Sequence, residues 1–179
     1  MTSLSGITVK RLVHDVKFVL ENPLDSEKIY YHHDEDNILI GYALIIGTKD
    51  TPYENGNYFF KFIFPDNYPF SPPKVEYYSN DGRTRFNPNL YVNKYVCLSI
   101  LNTWKGEGWT SCQSIYSILM TLQSILKENP LTNEPGFDES HVNVINYNNV
   151  ITYKNFEFTI LTIVKYIIYS FIKKNNYEI

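Results

Sequence analysis

The sequence predicts an α+β fold, and three observations predict it. Strand-like runs cluster between residues 28 and 78, apart from the helical runs at either end. The connections between those runs are hairpin-sized, which implies an antiparallel meander, because parallel pairs need long crossovers. Helical periodicity returns only after a long irregular middle. Strands segregated from helices in this way form an α+β pattern. At 179 residues, one domain with a substantial core is the expectation, spanning 1–179. Within it, 1–6 reads as a short N-terminal tail and about 139–179 as C-terminal helices.

Each element has its own signal. From Thr8 to Glu21, the residues Val9, Leu12, Val13, Val16, Val19 and Leu20 keep helical spacing, with Thr8 as the expected N-cap and Asn22-Pro23 as the stop. Lys10, Arg11 and Lys17 fall mostly off that stripe, which fits a solvated face or a partner-binding one. Strands are expected at Ile38–Ile46, Tyr58–Phe64 and Lys74–Tyr78, with a weaker first strand at Lys28–His32. The turn from Gly47 to Gly56 carries Pro52 and Asn55, and the next holds Pro65, Pro69, Pro72 and Pro73. Those prolines fix a turn by setting φ and withholding a donor. Residues 81–110 show little period, and a long irregular stretch inside a compact domain is usually functional. Ser114 to Lys127 is helical, with Ile115, Ile118, Leu119, Leu122, Ile125 and Leu126 on one side and Asn129-Pro130 ending it. A short helix or loop at Glu139–Asn149 and a last helix at Val150–Lys174 complete the chain.

Composition excludes several classes. A formal charge of −3, without a basic stripe interleaved with aromatics, argues against nucleic acid. The most apolar stretch, Ile160–Ile172, falls short of the roughly 20 residues a membrane span needs. It is expected to be a buried helix of a protein of the cytoplasm or also the nucleus. The N-terminus lacks a signal-peptide core. Two cysteines, Cys97 and Cys112, make no disulfide framework. Heavy use of Tyr, Asn and Ile fits an AT-rich genome.

Cys97 sits in the irregular middle, within Val96-Cys97-Leu98-Ser99-Ile100-Leu101. Taken alone, a cysteine among apolar neighbours is more often structural than catalytic. No CxxC pair suggests zinc or redox work, and no GxGxxG or Walker pattern appears. None of His14, His32, His33 and His141 is obviously placed to pair with it. Its neighbours change the balance. Arg85-Phe86-Asn87-Pro88-Asn89-Leu90-Tyr91 precedes it, with Asn89 eight residues upstream. Phe64-Pro65-Asp66-Asn67-Tyr68-Pro69-Phe70-Ser71-Pro72-Pro73 comes earlier, and Trp104 and Trp109 lead into the next helix. The tryptophans read as packing residues. Cys112 reads as filling the start of that helix.

This order of motifs resembles the catalytic core of ubiquitin-conjugating enzymes, whose usual signature is His-Pro-Asn, a short spacer, then Cys-Leu. The resemblance runs from the first helix through the central helix and implies the UBC fold: N-terminal helix, four-stranded antiparallel meander, central helix and C-terminal helices. A narrower resemblance, to a branch with Asn-Pro-Asn that is loaded by the second ubiquitin-activating enzyme, rests on five features. They are Asp50-Thr51-Pro52-Tyr53-Glu54, Arg85-Phe86-Asn87-Pro88-Asn89, Cys97-Leu98-Ser99-Ile100-Leu101, the lengthened loop with Thr103-Trp104, and Glu128-Asn129-Pro130 followed by Asn133-Glu134-Pro135-Gly136.

The resemblance implies two-step acyl transfer through a Cys97 thioester to ubiquitin or a ubiquitin-like modifier, ending on a substrate lysine. Thiolate is both the nucleophile and the leaving group. Asn89 either stabilises the oxyanion or fixes its loop. Glu134, or Asn133 beside it, would help the attacking lysine lose its proton. Neither metal nor bound cofactor is required; ATP is used upstream by the activating enzyme. One surface is implied for activating enzyme and ligase, built from Lys10, Arg11, Lys17, Phe70, Thr110, Ser111 and Cys112. Many members have Ser-Pro-Ala where this chain has Thr110-Ser111-Cys112. A monomer without membrane contact is expected.

Overall fold

A computed structural model describes residues 4–174, with side-chain burial given through 170. The element order is α1 (Gly6–Glu21), β1 (Ile29–His33), β2 (Ile40–Ile46), β3 (Asn57–Ile63), β4 (Lys74–Tyr77), α2 (Ile115–Ser124), α3 (Asn143–Lys154) and α4 (Leu161–Lys174). The four strands form one antiparallel meander in the order β1-β2-β3-β4. The α+β fold is therefore as the sequence implies.

Strand alternation sets the core. Ala43 and Ile45 of β2, Tyr58, Phe60 and Phe62 of β3, and Val75 and Tyr77 of β4 face inward and are buried. Tyr42, Phe59 and Lys61 alternate with them on the other face. Since side chains repeat every two residues, a one-residue slip would turn the aromatic row to solvent. Helix α2 lays Ile115, Ile118, Leu119 and Leu122 on the inner face, all fully buried. Helix α1 adds Leu12 and Val19.

Helix boundaries differ from expectation in instructive ways. Ser5, not Thr8, caps α1: the Ser5 hydroxyl accepts from the Thr8 N–H. Thr8 is instead buried inside the first turn, and its hydroxyl donates to the Asp66 carbonyl at 2.8 Å. Gly6 is thus already helical, while residues 1–3 of the expected tail lie outside the described residues. Ser114 caps α2 through a reciprocal capping box with Ser117.

The C-terminal region departs most. Its helix begins at Asn143 and continues to Lys174, carrying a π-helical turn at Asn155–Ile160. That turn is where it docks. Tyr58 donates to Asn155 Oδ1 at 2.6 Å, Asn155 Nδ2 donates to the Glu54 carbonyl at 2.9 Å, and Asn57 Nδ2 donates to the Thr159 carbonyl at 2.9 Å. Gly56 is required there, because a Cβ would sit 1.8 Å from Asn155 Oδ1. Beyond the anchor, the expected burial fails. Tyr166, Ile167, Ile168 and Tyr169 are more than half exposed, since α4 runs past the layer it would have to pack on. No helix among the described residues is long and apolar enough to cross a membrane.

Candidate active site

The Cys97 loop is held by backbone exchange with the Asn87-Pro88-Asn89 turn. The Cys97 N–H donates to the Asn89 carbonyl at 2.8 Å, and Asn89 Nδ2 donates back to the Cys97 carbonyl at 2.8 Å. The Asn89 amide is therefore committed to the loop, which is the loop-fixing arrangement. Its Oδ1 is buried without a partner.

Asn87 supports this turn from below and is fully buried. Its Nδ2 donates to the Tyr53 hydroxyl and to the Ile125 carbonyl, each at 2.8 Å, and its Oδ1 accepts from the Asn89 N–H at 2.9 Å. The Tyr53 hydroxyl in turn donates to the Phe86 carbonyl at 2.8 Å. Two separated sequence motifs, 50–54 and 85–89, thus meet as one hydrogen-bonded unit under the cysteine.

Thr103 holds the other side. Its hydroxyl accepts from the Leu98 N–H at 2.8 Å and lies within hydrogen-bond reach of the Val96 and Leu98 carbonyls. The Cys97 thiol donates to the Thr103 carbonyl at 3.0 Å. Cys97 is buried, 5% exposed, between the core residues Val96 and Leu98. What contacts its sulfur is a polar loop backbone, alongside the turn that carries Asn89. Burial pushes the thiol pKa up; the nearby Arg85 charge pulls it down, and Glu134 pushes it up again.

Arg85 and Glu134 complete the site. The Arg85 guanidinium stacks over Tyr91, 4.1 Å from the ring centroid, and donates to the Pro88 carbonyl. It reaches Glu134 Oε2 at 3.5 Å. Its Nε–H is buried with no acceptor. Asn133, the alternative to Glu134, instead donates to the Ile125 carbonyl at 3.2 Å and is tied to α2's end. Sequence reading passed over Arg85 as a functional residue. Its place in the Arg85–Tyr91 motif was visible, but its stacking on Tyr91 and its reach to Glu134 depend on tertiary placement.

The seven residues expected at the partner surface divide. Phe70 is 68% exposed on the proline-rich turn, and Lys10, Lys17, Thr110, Ser111 and Cys112 are exposed. Lys17 pairs with Glu21 at 3.5 Å. Arg11 is a brace rather than a free cation: its Nε donates to Asp15 at 2.9 Å, and its two terminal nitrogens donate to the Ser111 and Gln113 carbonyls. Asp15 is buried and also accepts from the Tyr68 hydroxyl. Trp109 packs on Tyr68 and donates to the Pro69 carbonyl at 2.7 Å. These contacts tie α1, the proline-rich turn and the 110–113 loop into one face. Two packing expectations are corrected here. Trp104 is 46% exposed on its loop, and Cys112 lies exposed before α2 because Ser114 and Ile115 occupy the helix start.

One cysteine thus sits on a doubly braced loop, with Arg85 and Glu134 paired across the turn that braces it. The chain belongs to the ubiquitin-conjugating enzyme family: the family model described as Ubiquitin-conjugating enzyme matches residues 11–159. It is 46% identical over 123 residues to ubiquitin-conjugating enzyme E2 Z of Homo sapiens, a match covering 68% of this chain and 31% of the relative. The same identity holds against E2 Z of Xenopus tropicalis, covering 68% and 36%. It is also 45% identical over 144 residues to a dual E2 ubiquitin-conjugating enzyme/E3 ubiquitin-protein ligase of Homo sapiens, covering 76% of this chain and 3% of that one. The matched stretch spans roughly a third of the length of the E2 Z relatives.

Proposed function

We propose that this chain is an active conjugating enzyme that carries ubiquitin or a ubiquitin-like modifier on Cys97. The observation that carries the reading is the reciprocal bonding of Asn89 and Cys97, which holds one cysteine in fixed register beside an amide. In the first step the Cys97 thiolate attacks the thioester carbonyl on the activating enzyme. A new C–S bond forms, the old one breaks, and the activating enzyme's cysteine leaves as thiolate. In the second step a substrate lysine amine attacks. A C–N bond forms, the bond to Cys97 breaks, and the nitrogen's proton passes to solvent through Glu134. No electrons are gained or lost.

Asn89 acts by holding the carbonyl of residue 97, and so the sulfur, in register. Correct placement of reacting groups is a large share of such catalysis, and a shift of about 1 Å can cost on the order of 10²-fold. The Asn-Pro-Asn branch, loaded by the second ubiquitin-activating enzyme, is the finer reading. The union of Tyr53 with Asn87 supports it, because both belong to motifs that mark that branch. Activating enzyme and ligase would share the face around Phe70, in the cytoplasm or the nucleus.

A second reading, a scaffold without chemistry, has one observation in its favour: the thiol is covered and its pKa raised. Loading decides between them. With activating enzyme, ATP and ubiquitin, the wild-type chain should form a thiol-sensitive adduct that Cys97→Ala abolishes. A panel of activating enzymes and modifiers that leaves the wild type unloaded would favour the scaffold.

A further inference from the structure

The two-step transfer described above uses Cys97, Asn89 and Glu134 and gives Arg85 no part. Three contacts fix its guanidinium. The Tyr91 ring lies under it at 4.1 Å, the Pro88 carbonyl accepts from one terminal nitrogen, and that same nitrogen reaches Glu134 at 3.5 Å. Pro88 stands between Asn87 and Asn89, so Arg85 also grips the turn that holds the cysteine. The contact to Glu134 is long for a charge-assisted bond, which prefers about 2.7–2.9 Å. Both side chains are more than a third exposed. The pair is therefore in contact without being closed, and the carboxylate keeps capacity for a second cation.

We propose that Arg85 is a positioning residue for acyl transfer, holding the Glu134 carboxylate against the turn that carries Pro88 and Asn89 and, through Asn89, Cys97. This rests on the reading of Cys97 as the acyl carrier. An arriving lysine ammonium meets a carboxylate already held in place and takes up its open side. Arg85 stays stacked on Tyr91, so its charge remains near the sulfur when the thiolate departs. The stack matters because a planar guanidinium can lie on a ring and donate in its plane at the same time, which an ammonium cannot.

The charged groups whose fields reach the thiol are Arg85, from the turn before Asn87, and Glu134, from the segment after α2. Two phenols stand behind them. Tyr147 of α3 donates to the Arg85 carbonyl at 2.8 Å, and Tyr95 approaches the Thr103 carbonyl at 3.4 Å. Removing Arg85 takes away a charge that lowers the thiol pKa, and neutralising Glu134 takes away one that raises it, so the two substitutions push in opposite directions.

The test is the pH dependence of iodoacetamide alkylation at Cys97 in the full chain, read peptide by peptide by mass spectrometry so that Cys112 is scored apart. Arg85→Ala should raise the midpoint, and Glu134→Gln should lower it. A shift of about half a unit changes the thiolate fraction about threefold at fixed pH. Arg85→Lys keeps a positive charge and should raise the midpoint less than Arg85→Ala does, yet discharge of loaded enzyme to free lysine should slow because the stack and the grip on Glu134 are lost. If Arg85→Ala does not fold, Arg85→Lys and Glu134→Gln carry the test. Midpoints that do not move, or that move together, overturn the proposal, as does unimpaired discharge by Arg85→Lys. Alkylation needs no activating enzyme, so its outcome stands apart from loading, whose failure would sink the conjugating reading instead.

Discussion

Asn87 uses all its side-chain hydrogens and its oxygen at once, which gives a physical reason for an amide at a position where most of the family has His. Two donors from one nitrogen serve Tyr53 and Ile125, and the oxygen serves the Asn89 N–H. A neutral imidazole offers one donor and one acceptor. Asn87→His should leave one of these buried groups unpaired and cost about 1–3 kcal/mol, read as a lower midpoint in urea with unchanged slope. At Asn89 the expected effect is on rate. Asn89→Ala removes the clamp on the Cys97 carbonyl, so discharge to free lysine should fall on the order of 10²-fold. Discharge equal to wild type would remove Asn89 from the mechanism. The raised thiol pKa adds a pH dependence with a definite sign. Below its pKa the thiol is protonated and inert, so alkylation of Cys97 should keep rising with pH beyond the point where a small model thiol has levelled off. A Cys97 midpoint at or below that of the model thiol would contradict the geometry described.

At the scale of elements, legibility followed the range of the forces involved. The meander was readable because alternation and short turns are local, and β1 through β4 fall within one or two residues of expectation. The cysteine and its two flanking motifs were readable because residue type and spacing carry them. The N-cap of α1 was missed because Thr8 is drawn inward by Asp66, 58 residues away. Arg11 was misjudged for the same reason: its partners at 111 and 113 come from across the chain. This bracing makes the face proposed for partners rigid, and Phe70 stands out from it on the turn that Trp109 grips. A rigid exposed aromatic is the usual anchor of an interface, with truncation costing about 2 kcal/mol or more. Phe70→Ala should therefore weaken ligase binding by at least tenfold while leaving the melting temperature unchanged, because the ring is 68% exposed. Equal affinity by titration would place the ligase surface elsewhere.

For the whole molecule, the question is where the folded unit ends on the C-terminal side. Burial along the last helix answers it. Ile151, Asn155 and Thr159 are buried, and the hydrogen bonds from Tyr58, Asn57 and Asn155 lock the π-helical turn onto the β2–β3 hairpin. From Thr162 onward no described side chain is buried, apolar though the stretch is. An apolar stretch reads as core in a sequence window because composition does not reveal whether a neighbouring layer extends far enough to cover it. A chain ending at Ile160 should keep the fold and lose only a few tenths of a kcal/mol, within the range of surface changes. A chain ending at Val142 loses Ile151 from the core and leaves the Tyr58 hydroxyl without its acceptor. Removing one large buried apolar side chain costs about 2–5 kcal/mol, and an orphaned hydroxyl adds about 1–3 kcal/mol, a large part of the 5–15 kcal/mol typical of a domain. Thermal unfolding of the two truncations should therefore separate by tens of degrees or leave the shorter one unfolded. Equal melting temperatures would mean that the Asn155 anchor is not part of the cooperative unit.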